Sequence, residues 1–460
     1  MKRIKLWCIF SMALLFVIGT VCFSFAAPAK APAKAAAKAP AKASGAEPTR
    51  DTRTLFGHDV EGLPPVTIIY ASDSPLNTNG DAWVVNFKNL VEAESKGKIK
   101  LDLHRFGALY RQNDFTKVLP IGTIHVGNIN KGMMMTRENG YAPWIIAYIW
   151  KSPEHTLAVA CSREWYEMED KYARSKWNIK PLVNTTIGNW DYFSRRPFKS
   201  MDDFRGKKIW SYGELASAYI SSWGGTPVIK SASELYMAFY NDTLNMISFS
   251  TGGFLQWKLF EGGKYWVNMP TYPPGSVGIH YNANYMNLDK WNSLPTAYKK
   301  IILDAQDLST WAGTFEGICE VQKSVYELIN RYKVIDCAIS TKNPKEYEKI
   351  KTAAVAAGKK YVFSRGVTQQ QWEDTQAILV KYAQPEQLSR YSWWYKLAWA
   401  ESDRRLREID KALKAGKSWD EATDPYHPKH RYNWTAEQVK AKWSAVPRVK
   451  WDWDEATRLK

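Results

Sequence analysis

Cysteine is scarce in this chain, with five in 460 residues, and two of them, Cys8 and Cys22, sit near the start. The other three, Cys161, Cys319 and Cys337, are odd in number and far apart, which excludes a disulfide scaffold. A Cys319–Cys337 bridge and a set of buried free thiols both fit that pattern. Histidine is also sparse, with seven scattered residues. Only His427 and His430, beside Asp424, come together, and on a proline-rich loop they read as surface chemistry, so no metal site is expected. The chain lacks HExxH, CxxC, Gly-x-Ser-x-Gly, a P-loop and GxGxxG. Nothing therefore points to a catalytic constellation or a bound cofactor. The acids Glu167 and Glu169 read as a solvated helix face.

What the chain does have is positive charge and tryptophan. The formal net charge is +17, and the chain holds 22 tryptophans. Residues 1–47 carry six Lys, one Arg and one Glu, so +6 lies in the leader and +11 in the body. No arginine-rich cluster or nucleic-acid motif accompanies it, so no nucleic-acid partner is expected. Attraction to anionic solutes or to a membrane face is the milder reading. Lys2, Arg3 and Lys5 precede an apolar run from Leu6 to Phe25, and Ser24-Phe25-Ala26 fits a cleavage site. Residues 1–26 thus read as a secretory signal peptide, which implies a periplasmic location, with an uncleaved membrane anchor as the alternative. Cys22 follows the bulky Val21, which disfavours a lipoprotein site. Residues 27–63 open on an Ala/Pro/Lys low-complexity leader, a spacer that cannot bury a core.

The body reads as α/β. Val66–Tyr70, Ile99–Leu103 and Thr123–Asn128 are strands, with helices at Asp81–Glu94 and Phe115–Leu119. Gly206–Trp210 is a strand, Glu214–Trp223 a helix ended by Gly224-Gly225, Thr226–Lys230 a second strand, and Ser233 caps a further helix. Strand, helix, strand, helix in so short a stretch marks a parallel sheet. Ser276–Tyr281 reads as a strand and Thr296 to about Ala338 as a long helical stretch.

Several phrases resemble the solute-binding proteins of tripartite ATP-independent periplasmic (TRAP) transporters, the dicarboxylate-binding type. They are FKNLVEAESKGKIKLDLHRFGAL, PIGTIHVGNIN, RRPFKSMDDFRGKKIW, GGTPV, SELYMAF and Asp289–Pro295. The resemblance runs from about Pro64 to Tyr391. It implies a two-lobe, type II periplasmic-binding-protein-like fold with a long back helix. Lobe 1 would take residues 64–187 and 276–315, and lobe 2 residues 188–275 and 316–390. The implied function is capture of a small organic solute in an interlobe cleft and delivery to a TRAP-type membrane permease.

The departures from the family pattern bear on the solute. Trp210 stands where the family usually has an arginine that grips a carboxylate. Trp190 lies where some members place a second arginine, and Phe249 where an asparagine is common. Tryptophan cannot replace a guanidinium fork, but it stacks on flat faces and attracts cations. Aromatic or apolar solutes are therefore expected first, quaternary amines second, and simple dicarboxylates last. A carboxylate held by Arg195, Arg196, Lys131 or Arg137 stays open. Family alignment adds Asp73 and Asn130 to the cleft, and both also read as turn or cap residues. Residues 391–460 form an extension with eight tryptophans, including a helix over Leu397–Lys414. It reads either as a strap with aromatic anchors or as a docking surface. An exported enzyme acting on a glycan or aromatic substrate, and an interaction protein working through this tail, are the alternatives.

Overall fold

A computed structural model describes residues 49–460, apart from positions 75, 77, 111, 131–138, 183–186, 189, 212, 231, 272–275 and 278–281. The signal peptide, the leader as far as residue 48, Lys131 and Arg137 lie outside the described residues.

Two mixed sheets organise the chain. The first opens with β1 (Val66–Ala71), β2 (Ile99–His104), β3 (Val126–Asn130) and β4 (Ile179–Pro181). The chain then crosses to the second sheet, with β5 (Asp191–Ser194), β6 (Lys208–Trp210), β7 (Thr226–Val228), β8 (Met246–Phe249) and β9 (Tyr265–Trp266). It returns as β10 (Asn282–Asn287) in the first sheet and ends the second with β11 (Ile335–Asp336). The strand orders are β2-β1-β3-β10-β4 and β11-β9-β5-β8-β6-β7. In each sheet one strand runs against all the others, β10 in the first and β5 in the second, and each is the first strand after a crossing. The two crossing segments pair with one another, Ile187–Gly188 against Ser276–Val277, antiparallel. This two-stranded link is the hinge of a two-lobed molecule. Of the strand expected at Ser276–Tyr281, Ser276 and Val277 lie in the link, and residues 278–281 lie outside the described residues.

Each lobe has an apolar cluster of its own, and a larger one, with Ala71 and Tyr285 of the first sheet and Tyr192 and Ile209 of the second, joins the two. Ile68, Phe87, Leu90, Trp291 and Ile301 fill the first, and Phe193, Leu235, Phe239, Ile247 and Phe254 the second. Helix α1 (Asn79–Glu94) covers one face of the first sheet, capped by the Thr78 hydroxyl at the Asp81 N–H. Helices α2 (Glu214–Ser222) and α3 (Thr251–Gln256) belong to the second lobe. The helix expected to start at a Ser233 cap begins at Ala232, which puts Ser233 inside it. Helix α4 (Thr296–Asn330) has 35 residues, hence a length of about 52 Å. It lies against both lobes: Gly313 seats the Trp83 ring of α1, and Ser324 faces Gly252 of α3. It stops short of Ala338 because β11 draws the chain into the second sheet.

Helix α5 (Pro385–Lys414) starts a dozen residues before the expected Leu397, with proline in its first turn. Beyond it the chain folds back over α4 and the first lobe. None of the eight tryptophans of the extension is exposed. Trp394 packs edge-on to Trp311 of α4 at 5.6 Å, Trp451 lies 4.9 Å from the same ring, and Trp453 stacks on Trp451 and Tyr166. Burial of rings of this size contributes about 2–3 kcal/mol each, so the extension is a strap. It closes on the N-terminal segment, where Arg50–Asp51 pairs antiparallel with Arg448–Val449. Cys161, Cys319 and Cys337 are free thiols. Glu167 is exposed as expected, but Glu169 is buried and accepts the Tyr285 hydroxyl at 2.6 Å, so the pair is not one solvated face.

Candidate ligand cleft

Strands β6 and β8 are parallel and end at Trp210 and Phe249. Strand β5 runs the other way, so its beginning lies at their ends, and Asp191 pairs directly with Phe249. Trp190, one residue earlier, falls at the same edge. The topology therefore gathers Trp190, Trp210 and Phe249 although 59 positions separate the first from the last. Phe249 is 5.8 Å from each indole, tilted 44° and 53° to them, and Trp257 joins it at 5.3 Å. This edge, the carboxyl end of the parallel strands, is where ligands bind in open α/β sheets.

The polar ends of both indoles are engaged inside the protein. Trp190 donates its Nε1–H to the buried Ser248 hydroxyl, and Trp210 donates to the Lys230 carbonyl at 3.1 Å. The rings thus offer faces rather than donors. Trp210 and Phe249 are buried at 7% and 9% exposure and continue the lobe 2 core, while Trp190 is half-buried and carries the more open face.

Asp73 and Asn130 belong to the other sheet. Asp73 lies two residues past β1 and is half-buried, and Asn130 is the last residue of β3, its backbone opposite Asn282. Both stand at the carboxyl ends of parallel strands in lobe 1, but the trio forms its contact group without them.

Among the cations weighed for a carboxylate, Arg195 is committed elsewhere. Its guanidinium binds the carbonyls of Phe239, Tyr240 and Gly262 and pairs with Asp242 at 3.0 Å. It follows β5 at the end away from Trp190, and the exposed Arg196 follows it there. Arg105, just past β2, grips Asp81 with both arms at 2.7 and 2.6 Å. Tyr432 of the strap bonds to the same carboxylate under the Arg105 guanidinium.

Sequence reasoning missed Asp191, Ser248 and Thr271. The Asp191 carboxylate is buried and accepts the Trp266 Nε1–H at 2.6 Å and the backbone N–H groups of Tyr192 and Met269 at 2.9 Å each. Burial pushes its pKa up to about 7 against the pull of those donors, and nearby Asp336 adds to the rise. Thr271 donates both its backbone N–H (3.0 Å) and its hydroxyl (2.9 Å) to the Trp190 carbonyl. An acid directly after an aromatic residue was the available signal, but which face it points to depends on strand direction. Among the described residues no group of three or more His, Cys, Asp or Glu is placed to hold a metal ion, and no helix is long and apolar enough to cross a membrane. His430 pairs with Asp424 at 2.8 Å.

Two mixed sheets, a paired crossover and a shared back helix define a two-lobed solute-binding protein. The chain belongs to the bacterial extracellular solute-binding protein family 7 (DctP), whose model matches residues 71–363. The family binds solutes and is not enzymatic. Solved structures share the fold at low identity. A TRAP periplasmic solute-binding protein from Roseobacter denitrificans with bound β-D-glucuronate is 16% identical, with a TM-score of 0.58 over 68% of this chain and 98% of that one. One from Sulfurospirillum deleyianum with bound succinate is 16% identical, with a TM-score of 0.58 over 69% and 100%. A Bordetella pertussis extracytoplasmic solute receptor binding pyroglutamic acid is 13% identical, with a TM-score of 0.56 over 67% and 98%. Among curated proteins, the uncharacterized protein YiiZ of Salmonella typhimurium is 22% identical over 169 residues, 34% of this chain, and the chain spans about half (48%) of its length.

Proposed function

We propose that this protein is an extracytoplasmic receptor that closes its lobes over a small organic solute with a flat ring face and presents it to a TRAP-type membrane permease. One observation carries the solute class. The lobe 2 edge of the cleft is a wall of Trp190, Trp210 and Phe249 whose indole N–H groups are spent internally. Such a wall gains by stacking and has no fork for a carboxylate. The similar proteins with bound glucuronate, succinate and pyroglutamic acid support a small organic solute. Within that class, aromatic compounds and ring-bearing acids suit this wall better than open-chain dicarboxylates. Asp73 and Asn130 would face the solute from lobe 1, and closure follows only from contact with both lobes. Quaternary amines fit less well, because ring centroids 5.3–5.8 Å apart fill the space a caged cation needs.

A thermal-shift panel tests the reading. It contains aromatic acids, neutral aromatics, uronates, succinate and quaternary amines. A solute at 100 times its Kd adds about 2.7 kcal/mol of stability. A shift with ring compounds and none with succinate is expected. A shift with succinate alone would overturn the ring-face reading.

A further inference from the structure

The segment that leaves lobe 2 for the hinge is fastened to the segment that enters it. Residues 266–271 run beside Trp190–Tyr192, and the fastening has two parts. Asp191 accepts from the Trp266 indole at 2.6 Å and from the Met269 and Tyr192 amides at 2.9 Å. Two residues on, Thr271 binds the Trp190 carbonyl through its amide and its hydroxyl. Position 271 is also the last described residue before the hinge strand Ser276–Val277. Among the described residues, three N–H donors and no cation hold the Asp191 carboxylate.

We propose that Asp191 is a positioning residue for ligand binding: its buried carboxylate latches the two crossing segments together and so fixes where the Trp190 ring stands at the cleft. The inference rests on the reading of Trp190 as part of the ligand wall. The latch is built to respond to protons. An ionised carboxylate accepts all three bonds. A proton weakens these acceptors but removes a buried charge, and burial is the larger effect. The groups around it do not offer a replacement charge. Asp336 of β11, held by both amide bonds from Asn268 at 3.0 Å, adds negative charge and is itself near Lys342. Tyr148, from the segment before the helix Pro153–Ala160, and Tyr347, from the helix Pro344–Ser364, approach as neutral phenols and bond the Met269 and Pro270 carbonyls at 3.2 and 3.3 Å. Because burial raises the pKa of this acid to about 7, above that of an exposed carboxyl, the closed latch binds the proton more tightly than the opened one, so opening is disfavoured below that pH and easier above it.

Hydrogen exchange on the full chain without ligand reads this directly, as local opening of segments 188–192 and 266–271 at pH 8 and pH 6, corrected for intrinsic rates. Uptake of a proton by the closed latch alone should make exchange at the Met269 and Thr271 amides about tenfold slower at pH 6 than at pH 8. Asp191→Asn should remove that pH dependence. Thr271→Val, which removes one bond but not the carboxylate, should keep it. Should Asp191→Asn fail to fold, Thr271→Val and the wild-type profile still decide. Equal exchange at both pH values in the wild type, or an unchanged pH dependence in Asp191→Asn, would overturn the proposal. Because no ligand enters this experiment, its failure leaves the ring-face reading intact, and failure of the solute panel leaves the latch intact.

Discussion

Arg458, two residues from the end of the chain, grips Asp307 in the middle of α4 with both arms, at 2.7 and 2.8 Å, and both side chains are buried. The same carboxylate accepts the Trp451 indole at 3.1 Å and contacts Arg53 at 3.3 Å, so both ends of the described chain meet on one acid. Removing one partner of such a pair strands the other charge out of water, which costs about 3–5 kcal/mol. Arg458→Ala should therefore lower unfolding stability by that amount, read by chemical denaturation. Replacing both, as Arg458→Met with Asp307→Leu, should recover much of it. An Arg458→Ala loss under 1 kcal/mol would mean the strap's end is loosely held.

The ring wall divides into a face and its backing, and mutations should separate them. Trp190 is half-buried, so Trp190→Ala should cost little stability, about 1–2 kcal/mol, while weakening the best ring solute of the panel at least about tenfold. Trp210 is buried within the lobe 2 core, so Trp210→Ala should cost about 3–5 kcal/mol through the cavity it leaves. Isothermal calorimetry and denaturation on both variants check this. A Trp190→Ala protein that binds like the wild type would remove Trp190 from the site.

Much of the fold was legible because it follows from local pattern. The strand-helix alternation around Gly206–Lys230, the helix α1 and the long α4 come from periodicity and glycine stops, and the structure has them, with α4 ending at Asn330 rather than near Ala338. The meeting of Trp190, Trp210 and Phe249 was legible only through the resemblance, since an antiparallel strand brings the first to the others. Arg195 was left open as a carboxylate holder because its sequence neighbours do not reveal that three carbonyls from two other segments surround it. The bonds of Asp191 were not legible, although an acid beside Trp190 was. Its donors come from Trp266 and Met269, more than 70 positions away, and no spacing rule links them. The strap was readable as an alternative, but burial of its tryptophans depends on α4 being there to receive them.

Gly253 in α3 has a packing role that a single methyl group tests. A Cβ there would lie 2.3 and 2.7 Å from carbons of the Phe249 ring, closer than any relaxed contact. Gly253→Ala must push that ring out of the wall or shift α3, at a cost of about 1–3 kcal/mol. Because Phe249 backs both indoles, the variant should also weaken ring-solute binding more than its stability loss alone would do. Denaturation and calorimetry together decide, and an Ala variant as stable as the wild type would show that the ring has room to move.

Two buried groups oppose one another in the pH dependence of stability. His155 is enclosed, with Nε2 on the Leu379 carbonyl at 2.8 Å and Nδ1 accepting the Lys151 amide at 3.1 Å, so the neutral ring satisfies both partners. Burial depresses its pKa to about 4 from the usual 6.5. As pH falls through that window, the unfolded chain takes up a proton that the folded chain refuses, and stability drops by about 3 kcal/mol. Asp191 works the other way. Its pKa is raised to about 7 from 3.8, so the folded chain binds a proton first as pH falls, and stability rises by about 4 kcal/mol between pH 7 and 4. In the wild type the two contributions largely cancel. Asp191→Asn removes one of them, so between pH 7 and 4 this variant should lose about 4 kcal/mol more than the wild type does. Urea denaturation at a series of pH values measures the difference, and parallel profiles for the two proteins would mean that Asp191 does not titrate in this window.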